Sequence, residues 1–204
     1  MHRLRLCLLI SATFPLGLVV QPATAGPAAE TAPVERVLVE PPRAFLEACQ
    51  RYAWLCEDRS ASVRPTAPEQ ALELARRINR RVNDEIAQLS DAENYGVADY
   101  WTLPRNGRGD CEDFVLEKYS RLVAAGIDGR ILSLAIVLDR RGDNHAVLVL
   151  HDPSGDLVLD SLSSRIVPWN QTGYTFLAMQ TSGDKSVWEL VAHRPIESNL
   201  LAQR

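Results

Sequence analysis

The hydrophobic pattern of this chain changes its period near Gly126, and that change most constrains the fold. Before it, residues 69–89 and 111–125 carry apolar side chains at helical spacing. After it, four segments have the pattern of strands: residues 130–138, 145–150, 157–162 and 186–194. Helices followed by a meandering sheet predict an α+β domain, with N-terminal helices packed on an antiparallel β-sheet.

The N-terminus has the pattern of a secretory signal peptide. Arg3 and Arg5 precede an uncharged apolar run at residues 8–20, and Ala23-Thr24-Ala25 forms a small-x-small cleavage site. The run is short for a membrane span, although an uncleaved anchor is the alternative. We therefore expect three segments: a signal peptide (1–25), a flexible leader (26–42) and one exported domain (43–204).

The charge of the chain argues against a nucleic-acid partner. The formal net charge is −4, and removal of the signal peptide would take away two arginines and no acidic residue. The densest basic cluster, Arg76-Arg77 and Arg80-Arg81, lies at helical spacing beside apolar positions and is interpreted as a solvated helix face. A mildly acidic protein without a basic patch is a poor ligand for nucleic acid.

Three cysteines remain after the signal peptide: Cys49, Cys56 and Cys111. In an oxidising compartment two should pair and one should stay free. A continuous helix from Cys49 to Cys56 would place their Cα atoms about 10 Å apart, which exceeds disulfide reach. A Cys49–Cys56 disulfide, which we predict, therefore requires the helix predicted at residues 45–55 to end near Ala53 or Trp54.

Cys111 stands at the predicted start of a helix, within Gly109-Asp110-Cys111-Glu112-Asp113-Phe114. A helix N-terminus stabilises a thiolate, which is the nucleophilic form of cysteine. Cys56 is also followed by Glu and Asp, but the segment after it contains Ser and Pro rather than a helix pattern. We therefore interpret Cys111 as the candidate nucleophile and Cys56 as structural.

A general base for Cys111 is expected in the predicted hairpin formed by residues 145–150 and 157–162. If Leu150 faces Leu157, His145 lies diagonal to Asp160 on the same face. Cys111, His145 and Asp160 would then serve as nucleophile, base and orienting acid. A shift of one residue in register would separate the last two. His151, in the predicted turn at residues 151–156, and His193 are the alternative histidines.

The carboxylates beside Cys111 have two interpretations. Asp110, Glu112 and Asp113 suit the N-terminus of a helix. Three carboxylates beside a thiol should nevertheless raise its pKa by repulsion between like charges. A bound cation would remove that conflict, and oxygen ligands favour Ca²⁺, with backbone carbonyls or waters completing its shell.

These motifs resemble the bacterial transglutaminase-like cysteine proteinases, the LapG-type periplasmic proteases. The resemblance spans most of the chain after the signal peptide. It rests on Phe45 to Cys49 with Cys56, Asp99-Tyr100-Trp101, the Gly109 to Phe114 stretch, Lys118, Leu122, Asn144 to Leu148, Val158-Leu159-Asp160 and Trp169.

The resemblance implies a papain/transglutaminase-like fold with the catalytic Cys111 at a helix N-terminus and His145 and Asp160 completing the triad. It implies Ca²⁺ bound at Asp110 and Glu112, with Asp113 as a further ligand. The implied activity is calcium-dependent cleavage of a large surface adhesin near its N-terminus, often at an Ala-Ala pair, in the control of adhesion and biofilm. An inner-membrane cyclic-di-GMP receptor of the LapD type would hold the protease inactive.

The chain departs from the family pattern at Ser161, where Asn usually follows the aspartate, and the resemblance does not place the segment after Trp169. Two other functions therefore stay open. One is a transglutaminase or peptide amidase that uses the same triad. The other is a non-catalytic exported binding module in which Cys111 is a structural thiol.

Overall fold

The structure is a computed structural model that describes residues 37–56 and 66–193. The predicted signal peptide and most of the predicted leader lie outside these residues. The helices are α1 (Arg43–Arg51), α2 (Pro68–Glu85), α3 (Asp91–Asn94) and α4 (Cys111–Ala124). The strands are β1 (Leu38–Val39), β2 (Ala87–Gln88), β3 (Arg108–Gly109), β4 (Leu132–Leu138), β5 (Asn144–Asp152), β6 (Gly155–Leu159), β7 (Val167–Pro168), β8 (Thr175–Gln180) and β9 (Trp188–His193).

The described strands form a seven-stranded sheet in the order β1-β9-β8-β4-β5-β6-β7, and every neighbouring pair in it is antiparallel. The short strands β2 and β3 pair in parallel outside it. The predicted α+β class with an antiparallel sheet is confirmed. None of the described helices has the length and apolar character needed to cross a bilayer.

The main hydrophobic core lies between one face of the sheet and the helices. Side chains of β4 and β5, such as Leu134 and Leu148, pack there with Phe45 of α1 and Leu116 and Leu122 of α4. Because side chains alternate along a strand, the intervening residues of β4 and β5 face the other way. A second cluster on that opposite face is formed by Ala135, Val137, Val147, Val149, Val158, Tyr174 and Phe176.

The N-terminal helix ends early enough for the predicted disulfide. Helix α1 stops at Arg51, and a 3₁₀ turn, Ala53–Leu55, brings the chain back. The Cα atoms of Cys49 and Cys56 are 5.8 Å apart and the two sulfurs are bonded. The helix predicted through residue 55 was thus too long, and the bend on which the disulfide depends is present.

Other parts of the structure also differ from the prediction. Helix α2 ends at Glu85 rather than residue 89, because Ile86 is already extended and β2 pairs with β3 immediately afterwards. Strand β8, between Trp169 and the strand predicted at residues 186–194, was missed from the sequence, and it lies between β9 and β4 in the sheet. The predicted turn at residues 151–156 is shorter, since β5 and β6 continue to the pair Asp152 and Gly155.

Candidate active site

Cys111 is the first residue of α4, and the approach of the chain to it depends on a glycine. A Cβ atom added at Gly109 would lie 2.6 Å from the Cβ of Asp113. A side chain there would therefore push α4 away from the preceding segment. The structure places the predicted nucleophile at a helix N-terminus, where unpaired backbone N–H groups favour an anion.

The thiol of Cys111 is surrounded by acidic groups. Its sulfur donates a hydrogen bond to Oε2 of Glu112, 3.1 Å away. Burial, followed by the charge of Glu112, raises the pKa of the thiol, while the nearby Ala146 backbone opposes this. Among the described residues no hydrogen bond joins the sulfur to the ring of His145, the chain neighbour of Ala146. In this arrangement the thiol is protonated at neutral pH.

The predicted hairpin register is present. Leu150 pairs with Leu157 and Leu148 with Leu159, as the diagonal placement of His145 and Asp160 requires. His145 Nε2 lies 2.8 Å from Asp160 Oδ1, and both side chains are buried. The shorter turn leaves this pairing unchanged because both strands extend by the same number of residues.

Asp160 is held in its ionised form by three donors. Burial alone would raise its pKa, but hydrogen bonds from His145, from the Tyr174 hydroxyl (2.6 Å) and from the Leu162 backbone N–H (3.0 Å) hold the pKa below its ordinary value. Because an ionised carboxylate only accepts hydrogen bonds, Nε2 of His145 carries the proton and Nδ1 is left as the basic nitrogen. Tyr174 was missed from the sequence, since nothing local connects it with Asp160.

The alternative histidines lie elsewhere. The ring of His151 is held at both nitrogens, with Nε2 2.8 Å from Ser133 Oγ and Nδ1 2.8 Å from Asp156 Oδ1. It is six residues beyond His145 on β5 and does not meet Cys111. His193 ends β9, and its side chain is outside the part of the chain that the structure describes.

The carboxylates predicted to bind a metal lie in a larger acidic cluster. Asp110 and Asp113 come together with Asp91, and Glu112 with Asp91 and Asp99; in each group, carboxylate oxygens lie within 4.8 Å of one another. Asp91 belongs to both groups and was not predicted. It begins α3, and its backbone N–H donates to Oδ2 of Asp110 at 3.1 Å.

Burial and mutual repulsion raise the pKa values of these carboxyl groups. In each case burial is the largest cause, and the charge of Asp110 adds to it. The pKa of Asp91 is raised to about 6, that of Asp113 to about 8 and that of Glu112 to about 9. Burial also raises the pKa of Asp110 itself. The cluster therefore holds more carboxylates than an uncompensated interior can keep ionised.

Three carboxylate oxygens accept no hydrogen bond from a described residue, and they indicate which kind of group would offset the negative charge of the cluster. Asp91 Oδ1, Asp110 Oδ1 and Asp113 Oδ2 are buried and have no hydrogen-bond partner among the described residues. Their companion oxygens are fixed: Asp91 accepts from the Tyr100 N–H, and Asp113 Oδ1 accepts from the Thr102 N–H at 2.8 Å. Converging carboxylate oxygens with fixed orientations fit a hard cation such as Ca²⁺.

No curated protein sequence matches the chain. Two solved structures of LapG from Legionella pneumophila are similar to it. The calcium-bound form is 25% identical, with a TM-score of 0.51, over 66% of this chain and 80% of that one. A second LapG structure is 26% identical, with a TM-score of 0.50, over 58% and 68%.

The family evidence covers most of the described domain. The sequence profile of the family described as bacterial transglutaminase-like cysteine proteinase BTLCP matches residues 36–195. That span includes Cys111, His145 and Asp160 together with the whole acidic cluster. The chain therefore belongs to the bacterial transglutaminase-like cysteine proteinases and is a cysteine peptidase.

Proposed function

We propose that the chain is an exported, calcium-dependent endopeptidase of the LapG type, in which Cys111 is the nucleophile, His145 the base and Asp160 the residue that orients it. The observation that carries the proposal is the buried His145–Asp160 hydrogen bond of 2.8 Å, in a chain whose Cys111 starts a helix near the backbone of Ala146, the residue after His145. This is the arrangement that a cysteine hydrolase needs.

The chemistry assigned to these residues is acyl transfer to water. Nδ1 of His145 accepts the proton of Cys111, and the sulfur attacks the carbonyl carbon of the scissile peptide bond. The imidazolium returns the proton to the departing amine as the C–N bond breaks, which leaves a thioester on Cys111. His145 then takes a proton from water, the resulting hydroxide attacks the thioester, and Cys111 regains its proton.

The acidic cluster would hold Ca²⁺ through carboxylates of Asp91, Asp110 and Asp113, and Glu112 and Asp99 form a second group around Asp91. When bound, the cation supplies the positive charge that offsets repulsion between these carboxylates and a thiolate. The Cys111 thiol donates a hydrogen bond to Glu112. That hydrogen bond must break before Nδ1 of His145 can accept the thiol proton. The calcium-bound state of the similar Legionella LapG supports this assignment.

The biological setting that we propose follows the family resemblance. The substrate is a large surface adhesin cut near its N-terminus, and the enzyme acts in the periplasm after export by residues 1–25. A cyclic-di-GMP receptor of the LapD type in the inner membrane is the proposed regulator. Fractionation tests the export: the full chain should reach the periplasm, and a chain that lacks residues 1–25 should stay in the cytoplasm.

The activity itself is tested on a proteome-derived peptide library with purified residues 26–204. We expect new peptide termini with Ca²⁺, few with EGTA, and recovery when Ca²⁺ is restored. An added primary amine separates hydrolysis from transglutamination. If the acyl group is transferred to the amine in preference to water, the endopeptidase proposal is wrong.

A further inference from the structure

A cavity of about 560 Å³ lies beside Asp160, on the side of the domain where the β4–β5 turn meets the loops around β7. Asp160 and Tyr174 form part of its wall, so it shares two residues with the hydrogen-bonded group that holds His145. This volume is in the range of ligand-binding clefts. Nothing in the proposed catalytic chemistry uses the cavity.

Three arginines line this cavity in a chain whose net charge is −4: Arg140, Arg141 and Arg165. They face two carboxylates that are already engaged. Asp160 accepts three hydrogen bonds, and Asp139 accepts the backbone N–H groups of Arg141 and Asp143 at 2.7 and 3.0 Å. The cavity wall therefore carries more arginine side chains than carboxylates, although the net charge of the chain is negative.

Arg140 and Arg165 have side-chain N–H groups that donate to no described residue. Arg140 uses Nε for the Thr172 carbonyl at 2.8 Å, and no partner among the described residues occupies its terminal nitrogens. The Arg165 side chain is exposed and has no hydrogen bond or ion pair with any described residue. Arg141 is mostly exposed and lies 3.4 Å from the carboxylates of Asp139 and Asp143, a separation typical of weak surface pairs.

We propose that this cavity is a substrate subsite that binds an acidic side chain of the polypeptide through Arg140 and Arg165. A guanidinium group donates two parallel hydrogen bonds to a carboxylate. Val158 and Leu162 give the cavity apolar walls for the rest of such a side chain. The cavity adjoins the proposed catalytic group, because Asp160, which is hydrogen-bonded to His145, forms part of its wall. The proposal rests on the proposed endopeptidase function.

Binding is measured without cleavage in the Cys111→Ala protein with Ca²⁺. Fluorescein-labelled hexaglutamate is compared with hexaglutamine by anisotropy. The double variant Arg140→Glu/Arg165→Glu should weaken hexaglutamate binding at least tenfold. The control Arg77→Glu/Arg80→Glu makes the same charge change on the exposed face of α2 and should change it less than twofold. Equal binding by the parent and the cavity variant would overturn the proposal.

Competition experiments distinguish binding of a polypeptide side chain from binding of a free small anion. Free glutamate and inorganic phosphate should displace hexaglutamate only at concentrations far above that of the peptide. Displacement by phosphate at a concentration equal to that of the peptide would mean a small-anion site and would reject a polypeptide subsite. Circular dichroism checks that each variant is folded, and Arg165→Gln, at an exposed position, provides a milder test of the same loss.

Cleavage of the peptide library supplies the second measurement. Acidic residues should be enriched at one fixed position beside the cut bonds, and the enrichment should disappear in Arg140→Glu/Arg165→Glu. Cleavage without any acidic preference would contradict the subsite while leaving the endopeptidase function standing. If the wild-type chain cleaves nothing, the endopeptidase function fails, and hexaglutamate binding still decides whether the cavity selects acidic peptides.

Discussion

His145 Nε2 lies 2.8 Å from Asp160 Oδ1 in a part of the domain where both side chains are buried. Three donors keep Asp160 ionised, and its charge fixes the proton of His145 on Nε2. The basic nitrogen, Nδ1, is thereby left for the thiol of Cys111. The register between β5 and β6 thus places the proposed base, His145, beside the residue that orients it.

The charge of Asp160 is tested by Asp160→Asn. Because asparagine keeps the shape and removes the charge that fixes the His145 tautomer, kcat/KM should fall by about 10²- to 10⁴-fold. Asp156→Asn is the matched control, since it removes the carboxylate that holds the other histidine of the same hairpin, His151. It should leave kcat/KM within about twofold, as surface changes usually do. Full activity in Asp160→Asn would exclude an orienting role for this carboxylate.

Calcium should stabilise the protein more at high pH than at low pH. Without the cation, the folded-state pKa values of Asp91, Asp113 and Glu112 are raised to about 6, 8 and 9. A raised pKa contributes stability that is present below the unfolded value and is lost as pH rises through the folded value. In EGTA the Tm should therefore fall between about pH 4 and pH 9, and bound Ca²⁺ should oppose that fall.

Thermal melts at pH 5, 7 and 9, with EGTA and with Ca²⁺, measure this effect. The calcium-induced rise in Tm should grow with pH and should shrink in Asp91→Asn, which removes the carboxylate common to both acidic groups. Glu93→Gln changes an exposed carboxylate on the same short helix and is the control. A calcium-induced shift that is independent of pH, or unchanged in Asp91→Asn, would show that the cation binds elsewhere.

Lys118 should destabilise the fold. It is fully buried, its Nζ has no hydrogen-bond partner in the described part of the chain, and this nitrogen lies 5.7 Å from the centre of the Phe114 ring. Burial lowers its pKa from 10.5 to about 7, although the charge of Asp160 opposes this. Lys118→Met keeps the chain length without the buried amine, so the free energy of unfolding at neutral pH should rise by about 1–3 kcal/mol.

The pH dependence of the free energy of unfolding distinguishes the loss of a buried amine from a change in side-chain packing. Because the folded-state pKa is lowered, the destabilising contribution of Lys118 should shrink between about pH 7 and pH 10.5, and the advantage of Lys118→Met should shrink with it. Urea denaturation at pH 6, 8 and 10 tests this. Arg77→Met, at an exposed position, should show no such trend. A variant that is less stable than wild type at every pH would contradict the prediction.

The Cys49–Cys56 disulfide leaves Cys111 as the free thiol of residues 26–204. Denatured protein should show one thiol before reduction and three afterwards. Because the disulfide closes a short loop, its removal in Cys49→Ser/Cys56→Ser should lower the free energy of unfolding by about 2–3 kcal/mol. Three thiols before reduction, counted with a chromogenic disulfide reagent, would contradict the pairing.

Local patterns predicted the parts of the site that are near each other in sequence. The apolar strands fixed the 145–160 hairpin register, and the Gly-Asp-Cys-Glu-Asp stretch marked the start of α4. Asp91 and Tyr174 were missed because each reaches the site only through tertiary packing. Asp91 lies in a segment without clear periodicity. Tyr174 precedes β8, a strand whose place between β9 and β4 depends on pairing with a strand distant in sequence.

The central claim is that Cys111 forms the acyl-enzyme. Mass spectrometry of the protein mixed with the peptide library and Ca²⁺, quenched in acid, measures it directly. The wild-type chain should carry an acyl adduct at Cys111 that decays as product appears, and Cys111→Ala should carry none and cleave nothing. Peptide cleavage by Cys111→Ala at the wild-type rate would contradict the account.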